Sequence, residues 1–120
     1  MSRTPRPIRQ LAMQLLYQLD VSGDGARAEA SAEASAEATA EALRDELALS
    51  VERAEHDPGP EARAQAAELA VQAWLAREQA DALTGELAPQ WPAYRQPPVD
   101  RAVLRLGIYE VASEREAAKR

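Results

Sequence analysis

Cysteine is absent, which excludes disulfide frameworks, cysteine nucleophiles, iron–sulfur clusters and thiolate zinc sites. Histidine occurs once, at His56, so no multi-histidine metal site can be built. That residue lies in the break His56-Asp57-Pro58-Gly59-Pro60, where an exposed loop position with no role is expected. Phenylalanine is missing as well, and the only aromatic residues are Tyr17, Trp74, Trp91, Tyr94 and Tyr109. No apolar run approaches the ~18 residues of a membrane span, and the first residues carry no signal-peptide core. The expectation is a soluble, cytoplasmic protein without membrane association. The five glycines never form a phosphate-binding loop, and no Ser/His/Asp set has supporting spacing. Four acids, Glu29, Glu33, Glu37 and Glu41, sit on a solvated repeat where burial cannot tune them. An enzyme, a cofactor and a metal are therefore all unexpected.

What is present is alanine: 27 of the 120 residues, about half of the apolar total, while Leu, Ile and Val together number only 21. The core must then be concentrated in a few segments, all helical in pattern. One domain, 1–120, is the size expected for this length. Charge is segregated within the net −6. Residues 1–19 contain Arg3, Arg6 and Arg9 and no acid, whereas residues 20–68 hold 13 acids against four Arg. A basic face kept apart from an acidic one can bind a polyanion even in an acidic chain.

Ile8, Leu11, Ala12, Leu15, Leu16 and Leu19 recur at spacings of three and one, predicting an amphipathic helix from about Pro7 to Asp20. Thr4 is a candidate cap, and Ser22-Gly23-Asp24-Gly25 a stop. Residues 26–42 repeat Ala and Glu with Glu29, Glu33, Glu37 and Glu41 four apart, which predicts a solvated helix or frayed chain with little to bury. A short helix should follow through Leu43 and Leu47 to near Ala54, then one long helix or two short ones from about Glu61 to Leu87. The last element, Pro98–Val111, is apolar nearly all round, and Gly107 within it suggests the close approach of another helix. Trp74, Trp91 and Tyr94 read as packing residues.

Beside the apolar stripe of the first helix, Arg9, Met13 and Tyr17 stand four apart, with Arg6 one turn earlier and Gln10 and Gln14 adjacent. Arginine supplies phosphate contacts and an exposed tyrosine a face on which a base stacks. Arg6, Arg9, Gln14 and Tyr17 are the candidate RNA-binding residues. The other reading leaves the arginines solvated and Tyr17 at the edge of the core.

Two stretches carry a family resemblance. Arg9-Gln-Leu-Ala-Met-Gln-Leu-Leu-Tyr17-Gln is similar to the opening helix of the NusB transcription antitermination factors. Pro98-Val-Asp-Arg-Ala-Val-Leu-Arg-Leu-Gly-Ile-Tyr-Glu-Val111 resembles that family's most recognisable segment. With Trp91 upstream, the likeness covers residues 6–20 and about 61–111. It implies an all-α fold, a NusB-like helical bundle of two small subdomains. These would be 6–55, containing the Ala/Glu-rich segment 26–42, and 61–120, with the second incomplete because the family continues past the position of Arg120. It also implies an antitermination factor that pairs with NusE, a small-subunit ribosomal protein, to bind the boxA element of nascent ribosomal RNA within the RNA polymerase antitermination complex. Arg6, Arg9 and Tyr17 match family positions that face RNA, although Pro5 and Pro7 stand where relatives carry more arginine. The alternatives are the NusB-like module of a ribosomal RNA cytosine methyltransferase, and a truncated helical interaction protein without RNA function.

Overall fold

A computed structural model describes residues 4–31, 36–51 and 58–119. Arg3, residues 32–35 of the repeat, the predicted helix end near Ala54 and His56 lie outside them. The described residues form six α-helices and no strand: α1 (Arg6–Val21), α2 (Asp24–Ser31), α3 (Ala36–Val51), α4 (Pro60–Leu75), α5 (Arg77–Leu87) and α6 (Pro98–Ala118). The expected all-α class is the one observed. None of these helices is long and apolar enough to cross a membrane.

Helix α1 is the centre of the packing. All six residues of its predicted stripe, Ile8, Leu11, Ala12, Leu15, Leu16 and Leu19, are buried. They meet Leu43 and Leu47 of α3, Ala66, Ala70, Val71, Ala73 and Trp74 of α4, and Ala102 and Leu106 of α6. Many of these partners are alanines, so the helices approach closely and bury area through backbone and Cβ rather than long side chains. Pro5, not Thr4, occupies the cap position, and no side-chain oxygen caps the helix. Pro7 in the first turn lacks an N–H that would otherwise be orphaned, and Pro5 leaves its carbonyl to accept the Arg9 N–H.

The Ala/Glu region departs from expectation. Gly23 turns the chain with φ of 78°, and a new helix begins at Asp24, so Gly25 lies inside α2 rather than in a stop. Ala28, Thr39 and Ala40 are buried. The repeat therefore covers part of the core, because small residues allow its helices to lie flat on their neighbours.

The 61–87 region is two helices. Ala76 leaves helical geometry, and the Trp74 carbonyl near the break accepts a bond from Arg77 Nη1 at 3.0 Å. Two further expectations fail. Trp91 and Tyr94 are not core residues: they are 40% and 81% exposed on the turn before α6. Nor is α6 surrounded: Val99, Val103 and Val111 are exposed, and a Cβ at Gly107 would meet nothing within 4 Å.

Charged pairs tie the helices at their edges. Arg44 on α3 grips Glu68 on α4 through two bonds of 2.7 and 2.9 Å. The hydrogen bond from Arg44, joined by one from Gln72, holds the Glu68 carboxyl below its ordinary range. A carboxylate depressed in the folded state contributes stability above its unfolded pKa of ~4.3 and loses it as pH falls through the folded value. Because both side chains are nearly half exposed, the contribution is small. Glu68→Gln is expected to melt slightly below the parent at pH 7, and the difference should close on acidification past the carboxylate range. Thermal melts of both proteins across that range check this.

Candidate nucleic-acid interface

The regular spacing that buries one side of α1 fixes what the other side presents. Arg6, Arg9, Gln14 and Tyr17 are all exposed, within less than half the helix circumference at ~100° per residue. Tyr17 is 39% exposed, and Met13 between it and Arg9 packs partly against the core. Arg9 and Tyr17 lie ~12 Å apart along the axis, the reach of about two nucleotides of extended strand. No acid lies in the first 19 residues to oppose them.

Sequence reasoning missed the partner of Arg9. Its Nε donates to Glu110 Oε1 on α6 at 3.0 Å, between residues 101 positions apart. The Glu110 side chain is only 16% exposed, whereas that of Arg9 remains 52% exposed. Engaging Nε leaves the Nη edge of the guanidinium open, and a fork of two N–H donors is the geometry that suits a phosphate. At the other end of α1, Asp20 accepts from Arg101 Nε at 2.7 Å. Arg9 meets Glu110 while Asp20 meets Arg101, so α1 and α6 run in opposite senses, braced at both ends. No spacing within either motif could have revealed these pairs. The only signal was that opposite charges occur in both family-like segments. Arg6 has no ion-pair partner among the described residues and projects freely.

Elsewhere the described residues offer little chemistry. They contain no group of three or more His, Asp or Glu able to hold a metal. A groove of about 500 Å³ between α5 and α6 is lined by Ala80, Leu83, Ile108 and Ala112 among others. It is predominantly apolar, and Ile108, two residues from Glu110, points to the opposite side of α6 from the Arg9 pair.

Comparison with known proteins gives a consistent result. The NusB family matches over residues 6–119. The transcription antitermination protein NusB of Symbiobacterium thermophilum is 33% identical over 109 residues, covering 88% of this chain and 62% of that protein. That of Clavibacter michiganensis subsp. michiganensis is 29% identical over 104 residues, covering 86% of this chain and 64% of that protein. A shorter match, 40% identical over 47 residues, is to the NusB protein of Herpetosiphon aurantiacus, covering 39% of this chain and 32% of that protein. The chain thus spans less than two thirds of the length of these relatives. No solved structure gives a significant match.

Proposed function

The chain belongs to the NusB family, and on that premise we propose that it is a transcription antitermination factor that binds the boxA element of nascent ribosomal RNA together with NusE. In this reading it is a binding component of the RNA polymerase antitermination complex, acting in the cytoplasm where transcripts are made, and not an enzyme. The observation that carries it is the outer side of α1, where Arg6, Arg9, Gln14 and Tyr17 stand exposed on a helix whose inner side is wholly buried. Arg6 and the open edge of Arg9 take phosphates, Tyr17 stacks a base, and Gln14 offers an amide that can donate and accept at a base edge. Burial of the inner stripe and the bracing by Glu110 and Arg101 keep this surface rigid, which reduces the ordering cost of binding. With two phosphate-facing arginines the affinity of the chain alone is modest, and the partner protein supplies the remainder.

The test is a fluorescence-anisotropy titration of labelled boxA RNA and a scrambled control, with and without NusE. The expected outcome is a preference for boxA that NusE strengthens, with affinity falling as salt rises. Equal binding of both RNAs in the presence of NusE would overturn the reading.

A further inference from the structure

We propose that the turn from Trp91 to Arg95 is a second contact surface for single-stranded RNA, continuing the track that α1 begins; this rests on the reading of the α1 face given above. Charge is the first argument. In a chain of net charge −6, the two longest stretches without an acid are residues 1–19 and residues 87–99. The first holds the arginines of α1 and the second holds this turn.

The side chains suit the ligand. Tyr94 is 81% exposed and Trp91 40%, an arrangement that core packing does not explain. Arg95 beside them is exposed and has no acidic partner among the described residues. Two aromatic faces with an unneutralised guanidinium are the elements of a stacking platform for unpaired bases, with sequence tolerance because every base has a π-face.

The turn is also built to hold its shape. A single 3-10 turn spans Ala93–Arg95, and prolines flank it on both sides. The buried Gln96 donates from Nε2 to the Trp91 carbonyl at 3.1 Å. Arg101 donates from Nη1 to the Ala93 carbonyl at 3.0 Å while its Nε binds Asp20. That one guanidinium therefore bolts the turn to the last turn of α1. Asp20 is three residues beyond Tyr17, ~4.5 Å along the axis. Through this clamp the turn is tied to the end of α1 toward which a strand stacked on Tyr17 would run to reach Trp91, Tyr94 and Arg95.

The experiment compares a boxA core RNA with the same RNA extended by about four unpaired nucleotides at its 5′ or its 3′ end, enough to reach a second stacking platform. One of the two extensions is expected to tighten binding to the parent about tenfold, and Tyr94→Ala should remove most of that gain. Arg95→Gln should flatten the salt dependence of the extended RNA by ~0.7 in logarithmic slope. Both side chains are exposed, so the variants should melt with the parent. The proposal is overturned if neither extension tightens binding, or if the gain survives in Tyr94→Ala. It is also overturned if Tyr94→Ala weakens capture of NusE and leaves RNA binding unchanged, since the surface would then be a protein-docking site. Absence of any extension effect in the parent, with its preference for the core RNA intact, defeats this proposal alone. Failure of the parent to prefer the core RNA over a scrambled one defeats the reading of α1 and this proposal with it.

Discussion

Replacing Trp74 by Ala is expected to destabilise the fold by ~3–5 kcal/mol and to lower the melting midpoint by on the order of 10–20 °C. The indole, on α4, contacts residues of α2, α5 and α6. It is 4% exposed, and its Nε1 donates to Glu29 on α2 at 2.5 Å. The guanidinium of Arg77 lies over the ring at 4.1 Å and that of Arg105, from α6, at 5.8 Å. Gly25 lies against the ring so closely that a Cβ there would overlap it. Truncation leaves a cavity in a core rich in alanine, whose methyl side chains are too short to fill it. Trp74→Phe should fall between, since it retains most of the ring and loses the bond to a carboxylate that Arg77 still neutralises. Two glycines check the account by the sign of their response. Gly107→Ala, with open space beside it, should raise the midpoint, because alanine in a helix interior is worth ~0.5–1 kcal/mol over glycine. Gly25→Ala, at the second residue of α2, gains less from propensity and overpacks the indole at a cost of ~1–3 kcal/mol, so its midpoint should fall. Differential scanning calorimetry of the four variants reads all of these. A rise for Gly25→Ala would contradict the packing described.

This cluster also marks where the sequence stopped being informative. The periodic stripe of α1 was legible because strong hydrophobes at helical spacing leave one way to be buried. Helix α2 has no such stripe. Its residues are glycine, alanine and polar side chains, and besides packing on α1 and α3 it is held by an indole 49 residues away from Gly25, together with an ion pair from Arg77 to Glu29. Local pattern carries no trace of either. Trp91 and Tyr94 were misplaced for the opposite reason. Large aromatics are usually buried, yet here prolines and the Arg101 clamp shape a turn that holds them outward. Along α6 the apolar residues outnumber the neighbours available, so Ala102 and Leu106 are buried while Val99, Val103 and Val111 are not. At the candidate site, the alignment of Arg9 and Tyr17 followed from spacing alone. Glu110, which turns the Arg9 guanidinium, depends on how α1 crosses α6 and was beyond reach.

The central claim is that the outer face of α1 binds RNA, and the double substitution Arg9→Ala with Tyr17→Ala tests it most directly. Loss of one stacked base costs ~1–3 kcal/mol, and loss of a phosphate contact adds to it, so binding of boxA RNA should weaken by roughly thirtyfold or more. The dependence of affinity on salt should flatten by ~0.7 in logarithmic slope, the signature of one arginine leaving a single strand. Stability should fall by no more than about 1–3 kcal/mol, because Tyr17 is partly exposed and Arg9 half exposed, while Glu110, only 16% exposed, loses its partner. The measurement is a titration of labelled boxA RNA, with NusE present, against parent and double variant over a range of salt concentrations, with circular dichroism confirming equal helicity. Weakened binding with a flatter salt slope in a fully folded variant is the result expected. Parental affinity and an unchanged slope in that same folded variant would show that RNA, if bound at all, is held by some other face of the molecule.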